Sequence, residues 1–187
     1  MTAHDDFSCR VQECTDRLAT TGVEALGVLF DLTAQRLVRF AAAMTRHQQD
    51  AEDAVQGALA RLARQPQRLA GMARPWAYLL RMVRNEVLSN ARRQQHNRAA
   101  GSLTDLVTHC AVDEAEREES QRAVWAALRT LPPEQAEVVV LKIWEEMTFV
   151  QIGEVLDLSP HTAASRYQYA MNKLTARLNR YREALHD

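Results

Sequence analysis

The segment from residue 131 to residue 174 constrains the fold of this chain most, because two short turns with clear helix-capping signals interrupt it. Thr148 can cap one helix. Ser159 can cap the next, with Pro160 at the first helical position, where a missing N–H has no cost. Gly153 lets the two helices approach closely at the corner between them. This order of helices and turns is that of a helix-turn-helix, whose last helix lies in the major groove of DNA.

The last helix of this segment has two unlike faces. Its apolar stripe, at helical spacing, consists of Ala163, Tyr167, Ala170, Met171, Leu174 and Leu178. The residues on and beside the opposite face, which are candidates for contact with duplex DNA, are His161, Thr162, Ala164, Ser165, Arg166, Gln168, Tyr169 and Lys173. This division predicts a recognition helix. A generic helical hairpin packed on a core is the alternative interpretation.

The composition of the chain indicates its fold class. Of the 187 residues 47% are apolar, glycines are few, and strand-like alternation is absent. No apolar run approaches the roughly 20 residues that a membrane span needs, and no basic-then-apolar leader opens the chain. We therefore expect an all-α, cytoplasmic protein without a membrane segment. It should consist of two small helical domains joined by a flexible linker, with the helix-turn-helix in the C-terminal domain.

Charge is distributed in blocks, although the formal net charge is only −1. Residues 61–98 carry nine arginines and a single acid, Glu86. Residues 105–122 are mostly acidic, and residues 166–182 are basic again. Two basic blocks separated by an acidic one indicate two nucleic-acid-facing modules joined by a different kind of segment.

The first module begins with two amphipathic helices. One runs from about residue 23 to about residue 47, and the second begins with Asp50 as its cap. Glu52 and Asp53 lie in the first turn of the second helix, where the helix dipole favours negative charge, and this alone would explain them. The alternative is a polar docking face for a partner helix, formed by Asp50, Glu52, Asp53 and Gln56.

The third helix of this module, residues 74–95, indicates a single-stranded DNA site. Arginines alternate along it with aromatic, apolar and small polar side chains. Phosphates need positive charge and unstacked bases need a flat ring, so this mixture is typical of a single-strand binder. The candidates are Trp76, Arg81, Arg84, Asn85, Ser89, Asn90, Arg92 and Arg93. For Trp76 a place in the core is the alternative, since aromatic side chains dominate core energetics.

The segment between the modules lacks sustained periodicity. Residues 99–113 are predicted to be a linker, too short to hold a further domain, because domains rarely fall below about 50 residues. The predicted organisation is an unassigned N-terminal extension at 1–22, a helical domain at 23–98, this linker, and a second helical domain at 114–187.

The three cysteines do not predict a metal site. Cys9, Cys14 and Cys110 are too few and too widely spaced for structural zinc, which uses four ligands in short pairs. Neither a Gly-rich phosphate loop nor a hydrolase elbow occurs in the sequence. We therefore predict no metal, no cofactor and no enzymatic activity.

The motifs of the C-terminal module resemble region 4 of bacterial RNA polymerase sigma factors of the extracytoplasmic-function (ECF) type. The landmarks are Leu131-Pro132-Pro133-Glu134-Gln135, then Phe149-x-x-Ile152-Gly153-Glu154-Val155-Leu156, then Thr162 and Ser165-Arg166. The resemblance implies that the helix-turn-helix lies over the −35 promoter element and that this module meets the β flap of the polymerase. Ala164 and Tyr169 stand where relatives often carry Lys or Arg. This departure implies a weaker or more shape-dependent −35 contact.

The first module resembles region 2 of the same factors. Residues 50–62 follow the Asp-Ala-Glu-Asp-x-Val-Gln pattern that meets the clamp helices of the β′ subunit. A second set of residues is similar to the family pattern that holds the −10 element: Pro75-Trp76-Ala77-Tyr78-Leu79, Arg84-Asn85 and Arg92-Arg93. The resemblance implies that Asn85, Ser89 and Asn90 lie near a flipped −10 base. Gly57 and Ala63 depart from the pattern, which usually has a glutamate and a large aromatic residue there.

The predicted function is that of a transcription initiation factor, which binds core RNA polymerase, reads the −35 duplex, and melts and holds the −10 element. The resemblance also implies an anti-sigma factor or another inhibitory partner. The residues alone leave two alternatives open. One is a dimeric helix-turn-helix regulator with an N-terminal sensory or dimerisation domain, which would bind paired half-sites. The other is an interaction module without salt-dependent DNA affinity.

Overall fold

The computed structural model describes residues 3–21, 23–45, 47–99 and 119–184 of the chain. Within these ranges the chain forms eight α-helices and one short 3-10 helix, and no strand. The helices fall into two compact units, one built from the first four and one from the last four. The prediction of an all-α fold is confirmed. The predicted linker at 99–113 lies, apart from its first residue, outside the described residues.

The first unit consists of α1 (Ala3–Thr21), α2 (Val23–Met44), α3 (Gln48–Ala63), the 3-10 helix (Pro66–Arg68) and α4 (Pro75–Ala99). Helix α1 occupies most of the segment that the sequence analysis left unassigned. Helix α2 ends close to the predicted boundary. Helix α3 begins before Asp50, which therefore lies in its first turn. The prediction that Asp50 caps this helix is wrong.

The core of the first unit is formed by the inner faces of its four helices. Helix α3 contributes the six apolar residues predicted to face inward, because they recur at helical spacing: Ala51, Ala54, Val55, Ala58, Leu59 and Leu62. The largest fully buried side chains of α2 and α4 are Leu29, Leu37, Phe40, Leu79 and Leu80. Helix α1 buries Phe7, Val11 and Leu18 at the spacing of one helix face.

Phe7 of α1 joins three helices of the first unit. Its ring packs edge-on against the ring of Trp76 on α4, with centroids 4.9 Å apart and an interplanar angle of 82°. The guanidinium carbon of Arg36 on α2 lies 3.7 Å from the centroid of the Phe7 ring. An aromatic pair of this kind contributes about 0.5–1.5 kcal/mol beyond the burial of its surface. One side chain of α1 therefore links α2 to α4.

The second unit consists of α5 (Glu119–Leu128), α6 (Pro133–Ile143), α7 (Phe149–Leu156) and α8 (Pro160–Ala184). The second predicted domain begins at residue 114, but residues 114–118 lie outside the described residues. A cluster of buried residues from α5, α6 and α8, together with the α5–α6 turn, forms part of the core: Ala127, Leu128, Leu131, Ala136, Val139, Ala170 and Leu174. The partly buried side chains of Tyr167, Met171 and Leu178 pack against this cluster. The predicted apolar stripe of α8 is therefore its core-facing side.

Capping side chains define both turns of the helix-turn-helix, as predicted. The Gln151 backbone N–H donates to Thr148 Oγ1 at 3.3 Å. The Thr148 backbone N–H donates to Gln151 Oε1 at 2.8 Å, which completes a capping box. At the next helix, the Thr162 backbone N–H donates to Ser159 Oγ at 3.0 Å. A Cβ atom on Gly153 would lie 2.6 Å from the carbonyl oxygen of Leu158, so this corner requires glycine's missing side chain.

Replacement of Phe7 by alanine should destabilise the first unit by about 3–5 kcal/mol, the usual effect of truncating a buried phenylalanine. Hydrogen exchange of the α4 amides in the intact protein would measure the free energy of unfolding of this unit. Val28→Ala is the matched control, because Val28 is 54% exposed and its truncation should change that free energy by less than about 0.5 kcal/mol. Equal effects of the two variants would contradict the role assigned to Phe7.

Glu146, in the turn between α6 and α7, has a φ angle of 50°. This is the left-handed region, which costs a residue with a Cβ atom roughly 1–2 kcal/mol and costs glycine little. Glu146→Gly should therefore stabilise the second unit by about 1 kcal/mol, measured by hydrogen exchange of the α6 amides. The control Ala176→Gly, at an exposed position inside α8, should have the opposite sign, about 1 kcal/mol of destabilisation. A destabilising effect of both variants would argue against strain at Glu146.

Candidate nucleic-acid and partner interfaces

The face of α8 opposite the core presents the predicted duplex-binding residues. His161, Gln168, Tyr169 and Lys173 are exposed, and Thr162, Ala164, Ser165 and Arg166 are half-buried. Tyr169 is the most exposed aromatic side chain of the described residues, with 64% of its surface accessible. This face is available because Ala163, Ala170 and Leu174 anchor the other side of the helix. The structure therefore brings together on one helix the whole set that the sequence predicted.

Both Arg166 and Lys173 contact side chains of helix α6. Arg166 Nη1 lies 3.8 Å from Glu137 Oε1, and the Glu137 side chain is only 3% exposed. Lys173 Nζ donates to Gln135 Oε1 at 3.2 Å on the protein surface. Arg166 is thus directed toward a buried carboxylate, and it is not simply a solvated cation on the DNA-facing side. The sequence could not show this pairing, because Glu137 lies on a different helix.

Helix α7 packs against α8 through one pair of aromatic rings and contacts a lysine of α6. The rings of Phe149 and Tyr167 lie 5.8 Å apart between centroids, at 59° to each other. Lys142 Nζ lies 5.0 Å from the centroid of the Phe149 ring. The Thr162 hydroxyl contacts Ser159 Oγ at 2.8 Å, so Thr162 is part of the cap as well as of the exposed face. These contacts fix the position at which the N-terminal turns of α8 are presented.

Helix α4 presents most of the residues predicted to bind single-stranded DNA. Arg81, Asn85, Arg92 and Arg93 are exposed, whereas Arg84, Ser89 and Asn90 are half-buried. Arg81, Asn85, Ser89 and Arg92 follow one another at intervals of three or four residues and therefore share one helix face, about 17 Å long. A face of this kind combines cationic and hydrogen-bonding groups along a line, which suits an extended strand.

Trp76 does not belong to this exposed face. Its side chain is 4% exposed and packs against Phe7. Its indole Nε1 is buried and has no hydrogen-bond partner among the described residues. A buried ring cannot stack on a base, so the structure contradicts the expectation of a DNA contact at Trp76. It supports the alternative that placed this residue in the core.

The single acid of the basic block, Glu86, is turned into the first unit. It is 6% exposed and forms an ion pair with Arg61 of α3. Gly57 of α3 lies beside it, since a Cβ atom there would lie 3.4 Å from Glu86 Oε1, in ordinary van der Waals contact. A glutamate at position 57, as is usual in the family pattern, would bring a second carboxylate into the neighbourhood of Glu86, and like charges repel. The departure at Gly57 therefore has a structural reason.

The predicted docking residues of α3 lie on two sides of the helix. Asp53 and Gln56 are exposed, whereas Asp50 and Glu52 are half-buried. Asp50 Oδ1 accepts a hydrogen bond from Gln94 Nε2 of α4 at 3.4 Å, which directs Asp50 toward its own unit. Asp53 and Gln56 are thus the two members of the set that face solvent most fully.

An apolar pocket of about 380 Å³ opens between α2 and α3 beside Gln56. Phe30, which is 44% exposed, forms part of its wall, and Ala63 forms another part. The remaining lining residues are Leu26, Gly27, Leu59 and Ala60. The small side chain of Ala63, where the family pattern has a large aromatic residue, thus lines this pocket.

The described residues contain no group of three or more side chains arranged to hold a metal ion. Cys9 is an exposed free thiol and Cys14 a half-buried one, while Cys110 lies outside the described residues. In the part of the chain that the structure describes, no helix is both long enough and apolar enough to cross a membrane.

Two family profiles match the chain. Residues 29–97 match the profile described as sigma-70 region 2, and residues 121–174 match the profile described as sigma-70, region 4. Together the matches span about two thirds of the chain, one in each structural unit. The chain belongs to the sigma-70 family of RNA polymerase sigma factors. The recognition helix α8 and the basic helix α4 lie in the segments that match regions 4 and 2, respectively.

Curated relatives show the ECF type of this sigma factor. The chain is 29% identical over 160 residues to the RNA polymerase sigma factor CarQ of Myxococcus xanthus. This match covers 85% of this chain and 92% of CarQ. It is 28% identical over 149 residues to the ECF RNA polymerase sigma factor SigL of Mycobacterium tuberculosis, with 78% of this chain and 84% of SigL covered.

Two solved structures share the fold of this sigma factor. The sigma factor RpoE of Bartonella quintana, solved in complex with the anti-sigma factor NepR, has a TM-score of 0.68 at 21% identity, covering 80% of this chain and 94% of RpoE. CnrH, solved in complex with the cytosolic domain of CnrY, has a TM-score of 0.65 at 22% identity, covering 91% of this chain and 97% of CnrH.

These matches confirm the function predicted from the sequence. The protein is a transcription initiation factor that directs RNA polymerase to promoters, and its partners are core RNA polymerase and promoter DNA. Neither a dimeric regulator nor a DNA-independent interaction module accounts for the presence of both sigma regions. Three features were not predicted from the sequence: the contact between Phe7 and Trp76, the burial of Glu86, and the exposure of Asn172 on α8. For α1, the helical spacing of Phe7, Val11 and Leu18 was the available signal.

Proposed function

We propose that this sigma factor divides promoter recognition between its two units. The exposed face of α4 holds the melted −10 strand, the exposed face of α8 reads the −35 duplex, and α3 docks on core polymerase. The observation that carries this proposal is that α4 in the first unit and α8 in the second each expose a polar face while the opposite side of the helix is anchored in that unit's core. A rigidly anchored helix presents its side chains with the precision that base recognition requires.

Two features of α4 support its assignment to the −10 element. Arg81, Asn85, Ser89 and Arg92 share one face, so the arginines can neutralise phosphates while the amide and hydroxyl groups reach unstacked bases. Glu86, the only nearby acid in the basic block, is neutralised by Arg61 and hidden from a bound strand. Trp76 serves by holding the helix from inside through Phe7.

Docking on core polymerase is assigned to the exposed side of α3. Asp53 and Gln56 offer a carboxylate and a carboxamide to a partner helix, and the apolar pocket beside Gln56 can receive an apolar side chain from it. The clamp helices of the β′ subunit are the proposed partner. The second unit would contact the β flap, as the family resemblance implies.

An anti-sigma factor is a further proposed partner. The structures of RpoE and CnrH, which have the same fold, were determined with NepR and with the cytosolic domain of CnrY, respectively. We extend this kind of partner to the present chain.

Three further assignments belong to the proposal. The protein is cytoplasmic and has no enzymatic activity, and residues 99–113 are a linker between domains at 23–98 and 114–187.

Reversal of charge at Asp53 should weaken binding to core polymerase. Asp53→Arg is expected to raise the Kd about tenfold or more, because an exposed carboxylate at the centre of the docking face would become a cation. Fluorescence anisotropy of the labelled full-length chain titrated with core enzyme would measure this. Asp16→Arg, which makes the same change of charge at an exposed site on α1, is the control and should leave the Kd unchanged. If the two variants bind equally well, α3 is not the docking helix.

A carboxylate introduced at the centre of the α8 face should abolish promoter use without affecting polymerase binding. Gln168→Glu and Ser165→Glu place negative charge against phosphates and base acceptors, and we expect run-off transcription to fall to background. The Kd for core polymerase should stay within about twofold, because α3 is untouched. Asn179→Glu, at an exposed position three turns further along α8, is the matched control. Normal transcription by both face variants would show that the recognition face is assigned wrongly.

A further inference from the structure

The part of α8 that carries the predicted reading residues, from Pro160 to Lys173, has no exposed arginine with which to read guanine. Arginine and lysine contacts to guanine O6 and N7 are the commonest specific contacts to bases in the major groove. Between Pro160 and Lys173 the sequence contains one arginine, Arg166, and one lysine, Lys173 itself. Both side chains are engaged by helix α6, through Glu137 and Gln135, respectively.

The two contacts differ in what they prevent. Glu137 is 2% exposed, so taking the Arg166 guanidinium away would leave a carboxylate in the protein interior without this cation, which is unfavourable. Lys173 is exposed and its bond to Gln135 is a surface contact, so it can turn to DNA easily. Its ammonium group, however, is a compact charge on a flexible stem and suits a phosphate better than a base edge.

The other exposed or half-buried side chains available for base contact in this stretch include no arginine or lysine. His161, Ser165, Gln168 and Asn172 recur at intervals of three or four residues and form one stripe, with Tyr169 beside it. A carboxamide donates to adenine N7 and accepts from adenine N6–H₂, a bidentate pair that guanine cannot form. The exposed ring of Tyr169 provides an apolar surface of the kind that contacts the C5-methyl group of thymine. Each of these contacts selects an A·T pair over a G·C pair at its own position.

We propose that α8 selects A·T pairs at the centre of the upstream promoter element, with Gln168 pairing with adenine and Tyr169 lying against a thymine methyl group. Arg166 acts as an anchor for α8, and Lys173 binds phosphate. This inference rests on the proposed assignment of α8 to the −35 duplex. It goes further by naming the base pair that the helix prefers and the two side chains that determine it.

A promoter library read by the holoenzyme would test this proposal. The full-length chain is combined with core polymerase and given templates that are randomised across the upstream element above a fixed downstream region. Sequencing of the transcripts ranks the templates. We expect one position with A·T over G·C by about fivefold to 150-fold, the discrimination of a single bidentate pair, and a flanking position that favours thymine.

Three variants assign these preferences to side chains. Gln168→Arg should convert the preferred base at its position from adenine to guanine. Tyr169→Ala should remove the thymine preference at the flanking position, and Tyr169→Phe, which keeps the ring, should retain it. Asn179→Ala is the control, since it removes a carboxamide from the same helix far from the reading positions and should leave the profile unchanged.

The results separate failure of this inference from failure of the proposed function. An active holoenzyme that prefers G·C at the central positions, or whose profile does not respond to Gln168→Arg, would overturn the base assignment while leaving the sigma-factor assignment intact. A holoenzyme whose transcription is independent of the whole upstream element would overturn the placement of α8 on the −35 duplex itself. Adenine preference that becomes guanine preference in Gln168→Arg would support both.

Discussion

A buried carboxylate paired with an arginine occurs at a functional helix in each unit, and these pairs fix how the two helices are rotated. In the first unit Glu86 of α4 pairs with Arg61 of α3. In the second unit Glu137 of α6 faces Arg166 of α8. A buried ion pair adds little net stability, because desolvation offsets the attraction, but a misrotated helix would leave a buried charge without its cation. Which residues of α4 and α8 are presented to solvent, and hence to the proposed DNA contacts, depends on this constraint.

The apolar contacts of the two helices act together with these pairs. Trp76 and its neighbours hold α4 from inside, and Ala163, Ala170 and Leu174 do the same for α8. Each helix can therefore expose an entire polar face and still be fixed in place, which avoids the entropy loss of ordering a flexible segment on DNA. Phe7 extends this anchoring to α1, so the N-terminal helix holds α4 from its buried side, through Trp76.

Most features that depend on neighbours in sequence were predicted well, although the cap assigned to Asp50 was wrong. The caps at Thr148 and Ser159, the close approach at Gly153 and the inward face of α3 all follow from local chemistry and periodicity. Features that depend on residues far apart in the chain were not predicted. The spacing of Arg166 on α8 suggested a DNA contact, and only the position of α6 shows what it faces. Trp76 carried both interpretations in the sequence, and burial distinguishes them.

The departures of this chain from the family pattern differ in kind between the two units. In the first unit the departure at Gly57 is matched by Glu86, whose carboxylate lies beside Gly57 and pairs with Arg61. In the second unit Ala164 and Tyr169 are not compensated by an exposed arginine between Pro160 and Lys173, where the one arginine, Arg166, faces Glu137. A change that a neighbour compensates preserves function, whereas an uncompensated change on a base-reading face alters it. The two departures in the second unit are therefore where this sigma factor should differ in promoter choice from relatives that carry cations there.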